Sequence, residues 1–309
     1  MKYISIILLM ALLIINIDLF SQKDKKVEWE LSVGAARVNP AAIYLRSQGI
    51  DELIYQYAQY YQAGYSAAGG FSESKLLIPF SFSVNYRLNK KLHLKAGVDY
   101  SLSGSNPSEK SSRVAWSDFY EQYDFELSNK VSYLMPHIGI GYGSGSFDFY
   151  GALGIGFTRF THTEALHYSE SEPGSDYDRE DTFKVKGTAP GVIIGIKYRL
   201  PLFKKSPGTH GTHGTGDKGI KPFIKLEAVL LKVNSLSGTK TTTALHSQGE
   251  RVSQTQEGTL YEFEWNPYGS QGFAFWDLYD TLPDDPTMRS FEEMRINLSG
   301  IRLMIGISF

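Results

Sequence analysis

Between Lys75 and Leu88 the chain alternates: Leu76, Ile78, Phe80, Phe82, Val84, Tyr86 and Leu88 fall on one face, with Ser81, Ser83, Asn85 and Arg87 on the other. Period two over this length predicts a strand with one apolar and one polar environment. Versions of the pattern recur in eight segments: Val27–Val38, Lys75–Leu88, Lys91–Ser103, Lys130–Tyr142, Ser146–Phe160, Lys184–Leu200, Ile220–Asn234 and Arg295–Phe309. A soluble sandwich also alternates, so the links between segments carry the decision. They run long, short, long, short, long, intermediate, long: Asn39–Ser74, Asn89–Lys90, Gly104–Asn129, Gly143–Gly145, Thr161–Phe183, Pro201–Gly219 and Ser235–Met294. Short turns at one end and long loops at the other are what an up-and-down barrel crossing a membrane produces. The expected fold is therefore all-β, a membrane-spanning antiparallel barrel of about eight strands. Thr239–Leu245 and Thr259–Glu264 are too polar to span and read as a hairpin lengthening the wall, with ten strands as the alternative count. In the first long link, Ile43, Leu53, Ile54, Tyr57 and Tyr61 have helical spacing and predict a short helix over the barrel mouth, against a Tyr-rich loop as the alternative.

Composition fits this class: 20 Tyr, 18 Phe and 30 Gly among 309 residues favour strands and tight turns. A net charge of -2 names no nucleic-acid partner, and the absence of Cys excludes disulfides, thiolate metal sites and a lipid-modified cysteine. The one long apolar run, Ile4 to Ile17 after Lys2, is short for a spanning helix and reads as a signal peptide, with cleavage near Ser21/Gln22. The expected organisation is a signal peptide at 1–21 and a barrel domain at 22–309.

Strand parity sends a set of charges to the interior: Glu28, Glu30, Arg87, Lys95, Asp99, Asp148, Lys197, Arg199, Lys225, Glu227 and Arg302. A lumen that side chains fill requires these to pair with one another, and a structural ion-pair core is expected ahead of a narrow ion or water path. His137 also faces inward and reads as a hydrogen-bonded core histidine. The link Thr161–Phe183 gathers His162, Glu164, His167, Glu170, Asp176, Asp178, Glu180 and Asp181. Without the glycine-punctuated spacing of a calcium loop, it is expected to be solvated rather than metal-binding. His210 and His213 lie in a Gly/Thr-rich linker with too few ligands for a zinc site. No metal or cofactor is expected. The last long link crowds Tyr261, Trp265, Tyr268, Phe273 and Trp276 together, either as a recognition surface or as a cap folded onto the barrel.

The pattern resembles the outer-membrane β-barrel proteins of the small OmpA-like, porin-like class. The final segment, Gly300 to Phe309, alternates and stops at an aromatic residue. By that resemblance Phe309 is the signal read by the barrel-assembly machinery, the location is the cell outer membrane, and the permanent partner is outer-membrane lipid. The leading function class is a non-enzymatic barrel whose external loops bind an extracellular ligand, surface or protein, with the wall also contributing to envelope integrity. A narrow pore is the second function class. A lipid- or peptide-modifying enzyme is the third, and it requires His162, His167 or His246 beside an acid or hydroxyl in an open cleft.

Overall fold

The computed structural model of the chain describes residues 27–38, 42–70, 76–103, 107–171, 176–201, 220–246, 249, 251–269 and 271–309. The expected signal peptide and His210 and His213 lie outside the described residues. In chain order the elements are β1 (Val27–Val38), α1 (Ala42–Tyr60), β2 (Gly64–Gly69), β3 (Leu76–Arg87), β4 (Leu92–Ser103), β5 (Ser108–Ala115), β6 (Tyr120–Ser144) and β7 (Phe147–Glu170). They continue as β8 (Tyr177–Arg199), β9 (Lys221–Val233), β10 (Ser237–His246), β11 (Arg251–Trp265), β12 (Phe273–Tyr279), β13 (Met288–Glu293), β14 (Ile296–Asn297) and β15 (Gly300–Ser308).

Eight of these strands close on themselves. β1 pairs β3, then β4, β6, β7, β8, β9 and β15 follow, and β15 returns to β1, every pairing antiparallel. Closure leaves no free edge in the ring, as a wall without access to water requires. Its outward positions are apolar: Leu31, Phe80, Ile138, Leu153, Ile194, Leu230 and Ile305 are all exposed. On β7 this belt runs from Phe147 to Phe157. Ten steps at about 3.3 Å make about 33 Å along the strand, or about 25 Å of height at a tilt near 40°, the thickness of a bilayer's apolar zone. The inward positions carry charge, which is the inside-out arrangement of a membrane-spanning barrel.

The strand count departs from the expectation above the ring. β6, β7 and β8 are 25, 24 and 23 residues long, about twice what crossing a bilayer needs. Their surplus lies on the side of the long links and forms an upper wall. β5 and then β2 add to β6, while β10, β11 and β12 add beyond β8, with β13 also on β11. So β10 and β11 lengthen the wall, as expected of that hairpin, and the ring keeps eight strands. Two links read as loops are corrected. Gly104–Asn129 contains β5 and the first part of β6, and most of Thr161–Phe183 is the continuation of β7 and β8. Above lipid a strand needs no apolar outer face, so its alternation turns faint.

The helix expected in the first link is α1. Arg46, Ile50, Ile54 and Ala58 recur every four residues and form its buried stripe. Gly49 allows a close approach: a Cβ there would run into the Phe275 ring. Gln62, with φ of 54°, ends the helix, and Ala63 N–H donates to the Ala58 carbonyl at 2.8 Å. Ile50, Ile54 and Ala58 share a core with Val114 of β5, Phe125 and Leu127 of β6, and Phe263 and Phe275 of β11 and β12. The helix thus fills the space between the two arms of the upper wall.

Candidate functional site: a charged lumen beneath a latched helix

The ring interior has two storeys. In the lower one, Glu30 is fully buried and collects three ammonium groups: Lys95 at 3.1 Å, Lys225 at 3.4 Å, and Lys197. It also accepts hydrogen bonds from Asn85 Nδ2 at 2.7 Å and Ser83 Oγ at 3.1 Å. Lys197 reaches on to Asp148 at 3.0 Å, and half-buried Arg199 closes this end against Glu28 at 3.3 Å. A second knot centres on Arg302, which donates to Asp99 at 2.5 Å and to Glu227, while the Tyr150 hydroxyl also donates to Glu227. His137 lies 3.8 Å from Asp99, and His93 lies 3.5 Å from Asp148. Five carboxylates (Glu28, Glu30, Asp99, Asp148, Glu227) therefore face five cations (Lys95, Lys197, Arg199, Lys225, Arg302). Equal numbers in contact are the mark of a charge-compensated filling, whereas a pore lined for one ion carries an excess of one sign.

Of the residues assigned to this interior by parity, Arg87 is the exception. It is exposed at the last position of β3. There the ring ends at the Asn89–Lys90 turn, and its guanidinium goes to water at no desolvation cost.

The upper storey is apolar: Val131, Phe160, Phe183, Leu231, Val233 and Trp276 are buried together above the charges. Over them sits Arg46 of α1, only 4% exposed. Its Nε donates to Glu164 at 2.6 Å and its Nη1 to the Trp276 carbonyl at 2.7 Å. Asp181 and Asp277 lie at 3.9 and 3.8 Å, and the guanidinium faces the rings of Phe183, Phe275 and Trp276 at 4.7 to 5.0 Å. Lys240 shares Asp277 at 2.8 Å. One helix residue is thus tied to β7, β8 and β12 at once.

Sequence parity had not picked out this cage. Glu164, Asp181 and His162, expected in a solvated loop, point inward from the extended strands and are buried or nearly so. His162 Nδ1 meets Asn129 Oδ1 at 2.7 Å, and its Nε2 lies 3.6 Å from Glu164. Burial holds the His162 imidazole below its ordinary pKa, with the nearby Arg46 charge acting in the same sense. Burial tends to raise the Glu164 carboxyl, but Arg46 and His162 outweigh it and hold the group well below the usual carboxylate range. Both groups have depressed folded pKa values, so both take up protons more readily when the cage opens. The cage therefore loses stability as pH falls below about 6.5 through His162, and further below about 4.3 through Glu164, by at most about 1.4 kcal/mol per group and pH unit. Protection factors of the α1 amides, which correct for the slower intrinsic exchange in acid, should be lower at pH 5.5 than at pH 7.5. A His162→Gln variant should lose most of that difference, and an unchanged one would exclude the imidazole as its source.

The aromatic residues of the last link divide between a buried cap and half-buried positions at the top of the wall. Trp276 is fully buried, with its ring 5.1 Å from Phe183 and 5.1 Å from His162. Trp265 and Phe273 are half-buried against Phe275, and Tyr261 is half-buried along β11. Tyr268 rises to the roof, 6.0 Å from Tyr57 and 5.4 Å from Tyr60. Tyr55, Tyr60 and Tyr61 of the helix end are the exposed aromatics there, and the Tyr57 hydroxyl donates to Glu121 at 3.0 Å. Of the arrangement required for an enzyme, one pair is present: His167 lies 2.7 Å from Asp178 on the outer face of the wall, and both line an open cleft of about 860 Å³ with Asp124, Glu126 and Glu180. His162 is sealed from solvent. The His246 side chain lies outside the described residues.

No family model matches the chain, and no curated protein matches it. Among solved structures it is similar to Ail, the attachment invasion locus protein of Yersinia pestis, in complex with the heparin analogue sucrose octasulfate, at 9% identity and a TM-score of 0.29 over 92% of this chain and 99% of that one. It is also similar to a major outer membrane protein from Thermus thermophilus, at 10% identity and a TM-score of 0.32 over 92% and 99%. The outer membrane protein OprG from Pseudomonas aeruginosa follows at 11% identity and a TM-score of 0.29 over 93% and 97%. At this level of likeness the functional argument rests on the chain's own residues.

Proposed function

We propose that the chain is a non-enzymatic integral protein of a bacterial outer membrane, with a sealed barrel as its anchor and the external cup as its binding surface. The observation that carries this reading is the inversion of the ring. A continuous apolar belt faces outward while ion-paired carboxylates and cations fill the inside, an arrangement that suits hydrocarbon and is unfavourable in water. A barrel rather than a helix does the crossing, in line with outer membranes. The working surface is the roof of Tyr55, Tyr60, Tyr61 and Tyr268 around the end of α1, where rigid aromatic side chains offer contact area to an extracellular partner at low entropic cost.

The test has two readings on one preparation. Unboiled protein should migrate differently from boiled protein on gels, reporting a closed barrel. The same folded protein in planar bilayers should show no steady conductance, because the apolar storey and α1 close the lumen. A boiled-like band throughout and full solubility without detergent would end the membrane assignment, whereas steady porin-sized currents would end the sealed-anchor reading alone.

A further inference from the structure

At the top of the cup the inward face of β6 ends in Glu121, above Tyr123, Phe125 and Leu127. Among the described residues the buried carboxylates are Glu30, Asp99, Glu121, Asp148, Asp181 and Glu227. Each of the others is in contact with a lysine or arginine. Glu121, only 8% exposed, meets no described cation. Its oxygens are held by phenols instead: the Tyr57 hydroxyl donates to one at 3.0 Å and the Tyr123 hydroxyl to the other.

Two further features belong to this spot. Glu170 stands directly opposite Glu121 on β7, a like-charge pairing that costs stability, and it too is held by a phenol, that of Tyr168. Around the two acids the rings crowd together. Tyr123 and Tyr168 have centroids 5.1 Å apart, while Tyr268 lies 6.0 Å and Trp116 6.3 Å from Tyr57. Tyr57, Trp116, Tyr123 and Tyr268 are half-buried, so the group opens to the mouth of the cup. Burial raises the Tyr57 and Tyr123 hydroxyls above their ordinary pKa, and Glu121 adds to this, so both stay protonated donors. Hydrogen bonds thus hold the Glu121 carboxylate in place, but no charge offsets its burial.

We propose that Glu121 and the rings of Tyr57, Trp116, Tyr123 and Tyr268 form a site for a small free cation bearing a methylated ammonium group. Each Glu121 oxygen already accepts a phenol, so the best-suited cation has no N–H to satisfy and sheds its water at little cost. Aromatic rings attract such a group through their quadrupole, and the carboxylate supplies the opposite charge. Glu170 alongside repels a phosphate on the same ligand, which sets the free cation above a zwitterionic headgroup. This inference rests on the reading of the cup as the binding surface and names what that surface takes.

Saturation-transfer NMR on the folded full chain, in a polyoxyethylene detergent that offers neither charge nor sugar, reads the binding of four probes. These are choline, ethanolamine, glycerophosphocholine and dimethylbutanol, the uncharged isostere of choline. Choline should bind in about the millimolar range, at least about tenfold tighter than the other three. A Glu121→Gln change keeps the shape and an oxygen for the phenols but drops the charge, and choline affinity should fall at least about tenfold. The same change should raise the urea midpoint of the ligand-free protein, because buried charge without a partner is removed. A carboxylate that serves structure alone would give a lower midpoint, and that result, or unchanged choline affinity in the variant, overturns the site. A Glu109→Gln variant, altered at an exposed acid of β5, should keep choline binding. Dimethylbutanol bound as tightly as choline would overturn the ammonium assignment and leave the cup a binding surface. Ethanolamine or glycerophosphocholine bound more tightly than choline would overturn the choice of a free methylated cation. The heat-sensitive gel shift on the same preparation separates the two levels. An intact shift without choline binding overturns this site alone, and a missing shift overturns the barrel reading beneath it.

Discussion

An Arg302→Met variant should lose about 3–5 kcal/mol of barrel stability, the cost of leaving buried charge without its partner. Arg302 is the cation on both Asp99 and Glu227, and all three side chains are buried within the ring. Met is close to Arg in bulk, so little of the loss should come from a cavity. Urea titration of the folded protein in detergent, followed by the heat-sensitive gel shift, would report it as a lower midpoint. An Arg302→Lys variant should fall between, since an ammonium keeps the charge but lacks the fork that serves two carboxylates. Combining Arg302→Met with Asp99→Asn and Glu227→Gln should recover part of the loss, because the uncompensated anions are then gone. A midpoint for Arg302→Met equal to wild type would mean that the guanidinium does not hold these acids together.

How much of this was legible in the sequence depends on what each side chain faces. Within the belt a strand must present apolar residues to lipid at every second position, so Leu76 to Leu88 or Ile301 to Phe309 announces itself, and with the link lengths this gave the ring. Above the belt that demand lapses. Outward residues of β7 there are Thr161, Thr163, Ala165 and His167, whose mixed polarity hides the period, and the stretch reads as a loop. A signal was still present in the inward set Phe160, His162, Leu166 and Tyr168, spaced by two around the acid Glu164. Arg87 shows the opposite failing: parity assigns a face but not the height at which the ring ends. Arg46 was the hardest to find. A lone arginine on a helix reads as a solvated charge, and only its place on the stripe of Ile50, Ile54 and Ala58 marked it as buried.

That buried arginine sets the second large effect. In an Arg46→Met variant, Glu164, Asp181 and Asp277 would lose a shared cation, with Arg179 and Lys240 remaining for Asp181 and Lys240 for Asp277. Glu164 would be left buried beside a neutral His162, a loss again of about 3–5 kcal/mol. Here the cost falls locally, because α1 is held by the cage and by the Ile50, Ile54 and Ala58 stripe, while the ring closes without it. The helix should therefore open sub-globally, exposing its tyrosines on a wall that stays folded. Limited proteolysis with a Tyr-directed protease should cut at Tyr55, Tyr57 or Tyr60 at least about a hundredfold faster than in wild type, while the urea midpoint of the barrel moves little. A Glu164→Gln change added to Arg46→Met should slow the cutting again by removing the stranded carboxylate. If the single variant is cut no faster than wild type, the apolar stripe alone seats the helix and the arginine is not its latch. If the barrel midpoint falls with it, cup and ring unfold as one unit.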